Sequence, residues 1–539
     1  MKKTLICLAA TVLLFGNAEA KKAAIKAPAM GWASWNQFGV KISDAVIKGQ
    51  ADAMATSGLK AAGFSYINID DGFFDGRNDD GSLRLNKTKF PNGFKPLVEY
   101  IHSLGLKAGY YSEAGESTCG SIYSGQTGGI NGGLYKHDQQ DCDSVFLKWG
   151  FDFIKVDYCG GQKLKLDEET RYTEIRKAID KTGRTDINYN ICRWQFPGTW
   201  CTTVASSWRM SNDINYTPGS KAKWSSIAGI INLNKYLAQY ASPGHYNDMD
   251  MLEVGRGMSF EEDKSHFSMW CILSSPLMLG HDMTKMSEET KSILTNPEVI
   301  AVNQDPSGLQ AQLIYDKDSI QIWAKHLNGG QSKEFAVALL NLGRGTNTLT
   351  VNWKDLCIVG NATVRDLWKR ADLGSMATGY TVTLPSHNIS LIKVKAGKTR
   401  LKETFEGEYG WMQNFNKTKN NVLVPGQAKA VVDATCSGRA KATSLGKGAD
   451  NYIEFRDVYS KSKGSYTLAL HYLCADKRNA TLTVNGVTTN LTDLTSGDDK
   501  KVAIVTVPVN LKKGYNTIRL SNATAAMPDV DKIVLNVNN

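Results

Sequence analysis

Eight short apolar runs between residues 29 and 277 constrain this chain most, because stretches of helical periodicity alternate with them. The runs are Ala29–Trp35, Tyr66–Asp70, Lys107–Tyr111, Phe151–Tyr158, Asp186–Cys192, Ser207–Met210, Gly244–Asp248 and Cys271–Leu277. Apolar runs bounded by polar residues have the character of parallel strands covered on both faces. Amphipathic stretches lie among them, including Ile42–Ala62, Lys95–Leu104, Glu168–Thr182 and Phe260–Met269. Such an alternation, over roughly 270 residues, has the size of a (β/α)8 TIM barrel. An open doubly wound sheet is the competing arrangement, but no glycine-rich phosphate loop stands where that fold would need one.

Polar and aromatic residues gather where nearly every run ends: Trp32 and Trp35, Asp70-Asp71, Tyr111, Lys155 and Asp157, Arg193 and Trp194, Asp213, and Asp248 and Asp250. The C-terminal ends of barrel strands are where this fold puts its chemistry. Two carboxylates on different strands suit glycoside cleavage, one attacking the anomeric carbon and the other protonating the leaving oxygen. Asp157, closing the run Phe151-Asp-Phe-Ile-Lys-Val-Asp157, is the candidate nucleophile. Lys155 shares its face by strand alternation, and its charge would keep the carboxylate ionised. Asp213 is the candidate acid/base, which must hold a proton before attack.

Other residues have a blander reading beside the functional one. Arg209, four residues before Asp213, is a substrate contact or a surface charge. Asp70 and Asp71 offer acceptors to sugar hydroxyls, although Asp71 also suits a turn before Gly72. Trp32, Trp35 and Tyr111 match the apolar faces of a pyranose, or simply fill a core. Asn247-Asp-Met-Asp250 carries too few oxygen ligands for a hard cation and reads as support for the site. No metal is expected in the barrel.

Past Asn303 the pattern changes to short strand-forming segments separated by Gly, Asn and Asp, among them Ile320–Ala324, Glu334–Asn341, Thr348–Val351 and Ile389–Val394. Barrel residues 21–303 are thus followed by an antiparallel β domain over 304–395, and 396–402 read as a basic linker. A last unit, 403–539, has strands such as Tyr466–Tyr472 and Val502–Val509, with turns at Asn485-Gly486 and Lys513-Gly514. It reads as a β-sandwich. At the N-terminus, Met1-Lys-Lys, an apolar core from Leu5 to Phe15 and Ala18-Glu-Ala20 form a signal peptide over residues 1–20. Export to the periplasm or beyond is expected, with no membrane insertion, since that core is too short to span a bilayer. Export permits disulfides, and the odd number of cysteines after the leader leaves at least one thiol free if the rest pair within the chain. The net charge of +10 is spread among acidic residues without an arginine-rich run, which speaks against nucleic acid as a partner.

Six motifs in order carry a resemblance: Gly31-Trp32-Ala-Ser-Trp35-Asn36, Ile69-Asp70-Asp71-Gly72, Gly109-Tyr-Tyr111, Lys155-Val-Asp157-Tyr-Cys159, Trp208-Arg209-Met-Ser-Asn-Asp213 and Asn247-Asp-Met-Asp250-Met251. Over residues 28–395 the chain resembles glycoside hydrolase family 27, the α-galactosidases, α-N-acetylgalactosaminidases and β-L-arabinopyranosidases. The resemblance implies a retaining exo-glycosidase acting on terminal α-galactose in galactoside-containing glycans, with no catalytic cofactor. Asp157 matches the nucleophile and Asp213 the acid/base. Trp32, Asp70, Asp71, Tyr111, Lys155, Arg209 and Asp250 match sugar-binding positions, and Cys119 and Cys159 a disulfide beside the site.

Two departures stand out. Gly72 replaces a cysteine that many relatives have. Arg193, in Cys192-Arg193-Trp194, replaces a glutamate that reads the sugar's 2-hydroxyl, and so alters recognition there. Retention of Asp70 and Asp71 favours galactose over arabinopyranose, which lacks the 6-hydroxymethyl. A glycan-binding protein with an inactive barrel is the non-enzymatic alternative, and the presence of both carboxylates argues against it. The last unit resembles carbohydrate-binding modules of families 6 and 35. That resemblance implies a structural calcium with Glu406, Glu408 and Asp531 as ligands.

Overall fold

The computed structural model describes residues 27–415, 418–419, 422–423 and 426–537; the expected leader lies outside them. Eight parallel strands form one curled sheet: β1 (Met30–Ala33), β2 (Tyr66–Ile69), β3 (Lys107–Glu113), β4 (Phe153–Asp157), β5 (Asn188–Ile191), β6 (Ser207–Arg209), β7 (Tyr246–Asp248) and β8 (Leu277–Leu279). Their order is β8-β1-β2-β3-β4-β5-β6-β7, so each crossover returns beside its own strand. The edges meet just past β7, where Leu252 bridges Leu279: its N–H reaches the Met278 carbonyl at 2.6 Å, and its own carbonyl takes the Gly280 N–H at 2.9 Å. Closure makes this a (β/α)8 barrel and removes the unpaired edges an open sheet would expose.

Local chemistry sets the helix starts. Asp44–Thr56 is capped by Ser43, whose hydroxyl accepts the Val46 N–H, and Glu168–Lys181 by Asp167, which accepts from Thr170. Phe260–Ile272 begins with a capping box between Ser259 and Glu262. These side chains satisfy amide donors that the first helical turn leaves without partners.

One strand boundary needs correcting. The run Cys271–Leu277 is not a strand: the preceding helix continues through Ile272, and β8 starts at Leu277. Every residue from Ser265 to Ile272 is buried, so the helix lacks the polar face that would have marked its length.

After the barrel comes a six-stranded antiparallel sheet of Gln312–Lys317, Ile320–His326, Glu334–Asn341, Ile389–Thr399, Ile358–Asp366 and Ala371–Met376, with a two-stranded ribbon of Asn347–Asn352 and Gly379–Leu384. The expected linker is partly strand here. Ile389–Thr399 pairs with Ile358–Asp366 as far as Ile358↔Thr399, so Lys398 of the expected linker lies on a strand while Arg400 and Lys402 follow it. Two further antiparallel sheets, six-stranded and five-stranded, make up the C-terminal part.

That C-terminal part is docked on the barrel. The β5–β6 crossover carries a helix of four residues, Cys201–Val204, against fourteen in the helix Glu168–Lys181. Beside this thin wall, Phe415 packs its ring on Phe196 and Tyr240 at 5.8 and 5.4 Å. Tyr240 donates to the Met412 carbonyl at 3.1 Å, and Thr199 to the Gln413 carbonyl at 2.7 Å. Phe415 is 4 % exposed. Phe415→Ala should therefore lower the barrel's stability by about 3 kcal/mol, read as a lower denaturant midpoint of the full-length chain at unchanged slope.

Candidate active site

Strand geometry aims the key side chains. Tyr111 and Lys155 are register partners on β3 and β4, as are Glu113 and Asp157, so all four project from the same side of the sheet. The Lys155 ammonium lies 2.9 Å from Asp70 Oδ2, 3.9 Å from Asp157 Oδ1 and 5.5 Å from the centre of the Tyr111 ring. One cation thus joins the carboxylates at the ends of β2 and β4.

Asp157 is 6 % exposed, and burial pushes its pKa up to about 6. Lys155 opposes that rise, while the negative charges of Asp70 and Asp213 add to it. Lys155 was expected to hold this carboxyl well ionised; the loss of water outweighs it. Asp157 is still mostly an anion at neutral pH, and a poorly solvated one.

Arg209, at the end of β6, organises the opposite side. Its guanidinium reaches Asp213 Oδ1 at 3.0 Å and Asp250 Oδ2 at 2.9 Å. Asp250 has a left-handed φ of 78°, uncommon for a residue other than glycine. Its carboxylate accepts the N–H groups of Ile214 and Met251, each at 2.7 Å. Asp250 thereby ties the loop carrying Asp213 to the end of β7, and burial raises its pKa to about 7. Asp248 supports it from behind, accepting the Asp250 N–H at 2.9 Å and the Asn190 amide at 2.8 Å. Asp213 is more open, with one third of its side chain exposed.

The Asp pair divides in two. Asp70 meets Lys155, whereas Asp71 is 1 % exposed and accepts the N–H groups of Gly72 and Gly120, both at 2.7 Å. Burial raises the Asp71 pKa to about 6. Gly72 has φ +122°, and a Cβ there would sit 2.8 Å from the Val40 backbone, so this turn has no room for a side chain. Cys119 and Cys159 are joined in a disulfide, as the resemblance implied, and the seven other cysteines among the described residues are unbridged.

Three further residues expected to contact the sugar are enclosed in the fold. Trp32 has no exposed surface; its indole N–H donates to the His281 carbonyl at 2.8 Å and its ring meets Phe38 edge-on. Tyr111, 1 % exposed, backs Lys155. Arg193 is 2 % exposed, pairs with Glu168 at 2.7 Å and lies over the Tyr158 ring, so its charge is directed into the β4–β5 crossover.

Two residues near Asp157 had no role assigned from the sequence. Cys192 follows β5 and receives the Arg209 guanidinium on its sulfur at 3.7 Å. Glu113 is fully buried at the end of β3. The two-residue spacing of Gly109, Tyr111 and Glu113 would have placed it on the inward face, a signal that was available.

The chain is similar to known proteins over its barrel and the sheet that follows. The family profile described as "Alpha galactosidase A" matches residues 27–305, and "Alpha galactosidase C-terminal beta sandwich domain" matches residues 317–394. The chain is 37 % identical to "Alpha-galactosidase A" of Cellvibrio japonicus, over 68 % of this chain and 92 % of that protein. Among solved structures it is similar to α-galactosidase I of Mortierella vinacea, with a TM-score of 0.64 and 35 % identity over 71 % of this chain and all of the other. A glycoside hydrolase family 27 β-L-arabinopyranosidase of Geobacillus stearothermophilus gives a TM-score of 0.60 at 26 % identity, over 70 % of this chain and 98 % of that one.

The raised pKa of Asp157 has a stability consequence. A carboxyl that holds its proton more tightly when folded stabilises the fold below its unfolded pKa of about 4, and that contribution is lost as the pH rises through about 6. Asparagine at this position escapes the loss. The melting temperature of Asp157→Asn should exceed that of the parent by several degrees at about pH 8, and the gap should close towards about pH 4.

Proposed function

The chain belongs to the α-galactosidases of glycoside hydrolase family 27, and from that premise we propose how its residues share the reaction. It is a glycoside hydrolase that removes terminal α-galactosyl residues, and the chemistry needs no cofactor. Asp157 attacks the anomeric carbon and forms a glycosyl-enzyme. Asp213 first protonates the leaving oxygen and then takes a proton from the incoming water, so the anomeric configuration is retained. Asp70 and Asp71 take the sugar's hydroxyls. Arg209 holds Asp213 by an ion pair that Asp250 shares.

One observation carries this division of roles: Lys155 lies between Asp70 and Asp157, coupling the sugar-binding end of β2 to the attacking carboxylate of β4. Galactose is favoured over arabinopyranose by the retained Asp pair and by the higher identity to the α-galactosidases of Cellvibrio japonicus and Mortierella vinacea. Arg193, turned towards Glu168, leaves the 2-hydroxyl to be read by other groups. With nitrophenyl α-galactoside as substrate, Asp157→Asn and Asp213→Asn should each lose at least about a thousandfold in kcat while remaining folded. Proton NMR should show α-galactose as the first product. Parent-like turnover in either variant refutes that residue's role, and β-galactose appearing first refutes retention.

The C-terminal unit is read as a carbohydrate-binding module built around a calcium site. Burial raises the pKa of Glu406, Glu408 and Asp531; the charge of Asp531 adds to the rise at Glu406, and Glu406 and Asp531 both add to it at Glu408. Glu406 Oε2 and Glu408 Oε2 are buried without a hydrogen-bond partner. A Cβ at Gly438 would approach Glu408 Oε1 to 2.7 Å, so the turn leaves that oxygen uncovered. Oxygen donors are the type calcium takes, but the three carboxylates do not all converge within 4.8 Å of one another, so backbone or further oxygens would have to complete the site. Chelation should lower the melting temperature of this unit, and added calcium should restore it. Export is read from the leader and agrees with the disulfide.

A further inference from the structure

Glu113 is engaged in a way that its place in a strand does not require. It is fully buried, and its carboxylate accepts three backbone N–H groups: Gly115 at 3.0 Å and Gly161 at 3.1 Å on Oε1, and Cys159 at 2.9 Å on Oε2. Cys119 Sγ lies 3.6 Å from Oε2. Gly115 belongs to the loop after β3, while Cys159 and Gly161 open the helix after β4. One side chain therefore bonds both segments that the Cys119–Cys159 disulfide joins covalently. Its register partner on β4 is Asp157, two residues before Cys159.

We propose that Glu113 is a positioning residue, a non-covalent clamp parallel to the disulfide that fixes the end of β4 and so aims the Asp157 carboxylate at the anomeric carbon. This rests on the reading of Asp157 as nucleophile. The physical reason is geometric. A nucleophile on a strand's last residue is only as fixed as the backbone that follows it, and a displacement near 1 Å can cost about a hundredfold in rate. Hydrogen bonds to two N–H groups just past Asp157 restrain that backbone, and the bond to Gly115 ties it to β3, although burial and the charge of Asp157 push the Glu113 pKa up to about 8. Glutamine is the informative replacement, since it keeps the volume but presents an NH₂ group to backbone donors. At least one of the three bonds must then be lost. Aspartate keeps both acceptor oxygens one methylene further back.

The sugar pocket provides the control. Asp70, Asp71 and Lys155 make no hydrogen bond to Glu113 among the described residues, so galactose should bind normally when the clamp is loosened. In E113Q, kcat for nitrophenyl α-galactoside should fall about tenfold or more while the inhibition constant of galactose stays within about twofold. E113D should recover most of the lost kcat. Combining E113Q with Cys119→Ser and Cys159→Ser should cost more than the separate losses multiplied together, because each clamp then lacks its substitute.

Parent-like kcat in E113Q overturns the proposal, as does an equal weakening of galactose binding or an E113D variant as slow as E113Q. If E113Q does not fold, E113D decides: parent-like galactose inhibition with most of kcat retained supports the clamp, and a parallel loss of both overturns it. Asp157→Asn is run alongside. Activity surviving in that variant defeats the nucleophile assignment, whereas an inactive Asp157→Asn beside an unimpaired E113Q defeats only the clamp.

Discussion

A single half-buried ammonium group holds this site together. Carboxylates at the ends of β2 and β4 converge on Lys155, and without it two anions would share a water-poor cavity with nothing to offset their repulsion. Removing one partner from a buried charge cluster is costly because the remaining charge stays desolvated. The balance is visible in Asp157, whose pKa still rises to about 6 in spite of the lysine beside it. Such a carboxylate is anionic at neutral pH yet weakly hydrated, a useful state for attack at carbon. Arg209 does the corresponding work across the site, where Asp213 and Asp250 compete for one guanidinium.

Those charges can be held only because the surrounding backbone is closed and cross-linked. The barrel has no free edge once Leu252 meets Leu279. The loops above it are pinned by more than one device: the disulfide, the Glu113 carboxylate and the left-handed turn at Asp250. Where the wall is thinnest, at the short β5–β6 crossover, the C-terminal unit supplies an aromatic contact through Phe415. The last unit is thus part of the barrel's packing as well as a neighbour in sequence.

Much of this was legible beforehand, for identifiable reasons. Buried parallel strands announce themselves as apolar runs, and the barrel fold requires its polar residues at one end of them. Asp157, Lys155, Asp70 and Asp213 could therefore be picked out from position and residue type. Legibility failed where local pattern is ambiguous. The last two turns of the helix Phe260–Ile272 are buried on every side and show no polar stripe, which is why Cys271–Leu277 resembled a strand. A short basic run resembles a linker, although its first residues belong to Ile389–Thr399, which lies between two strands of its sheet with one register irregularity near Gly397.

By itself, the order of residues determined the alternation of strands and helices, the identity of the acidic pair and the family to which the chain belongs. Periodicity and the chemistry of strand-end residues give the alternation and the candidate acidic pair, and the six motifs shared with relatives give the family. Tertiary structure alone decided how those groups influence one another. Distance and burial, which no linear spacing contains, set the raised pKa of Asp157, the turning of Arg193 towards Glu168, the enclosure of Trp32 and the convergence of three distant N–H groups on Glu113. Electrostatic and hydrogen-bond energies depend on separation in space and on access to water, and only the folded barrel fixes those.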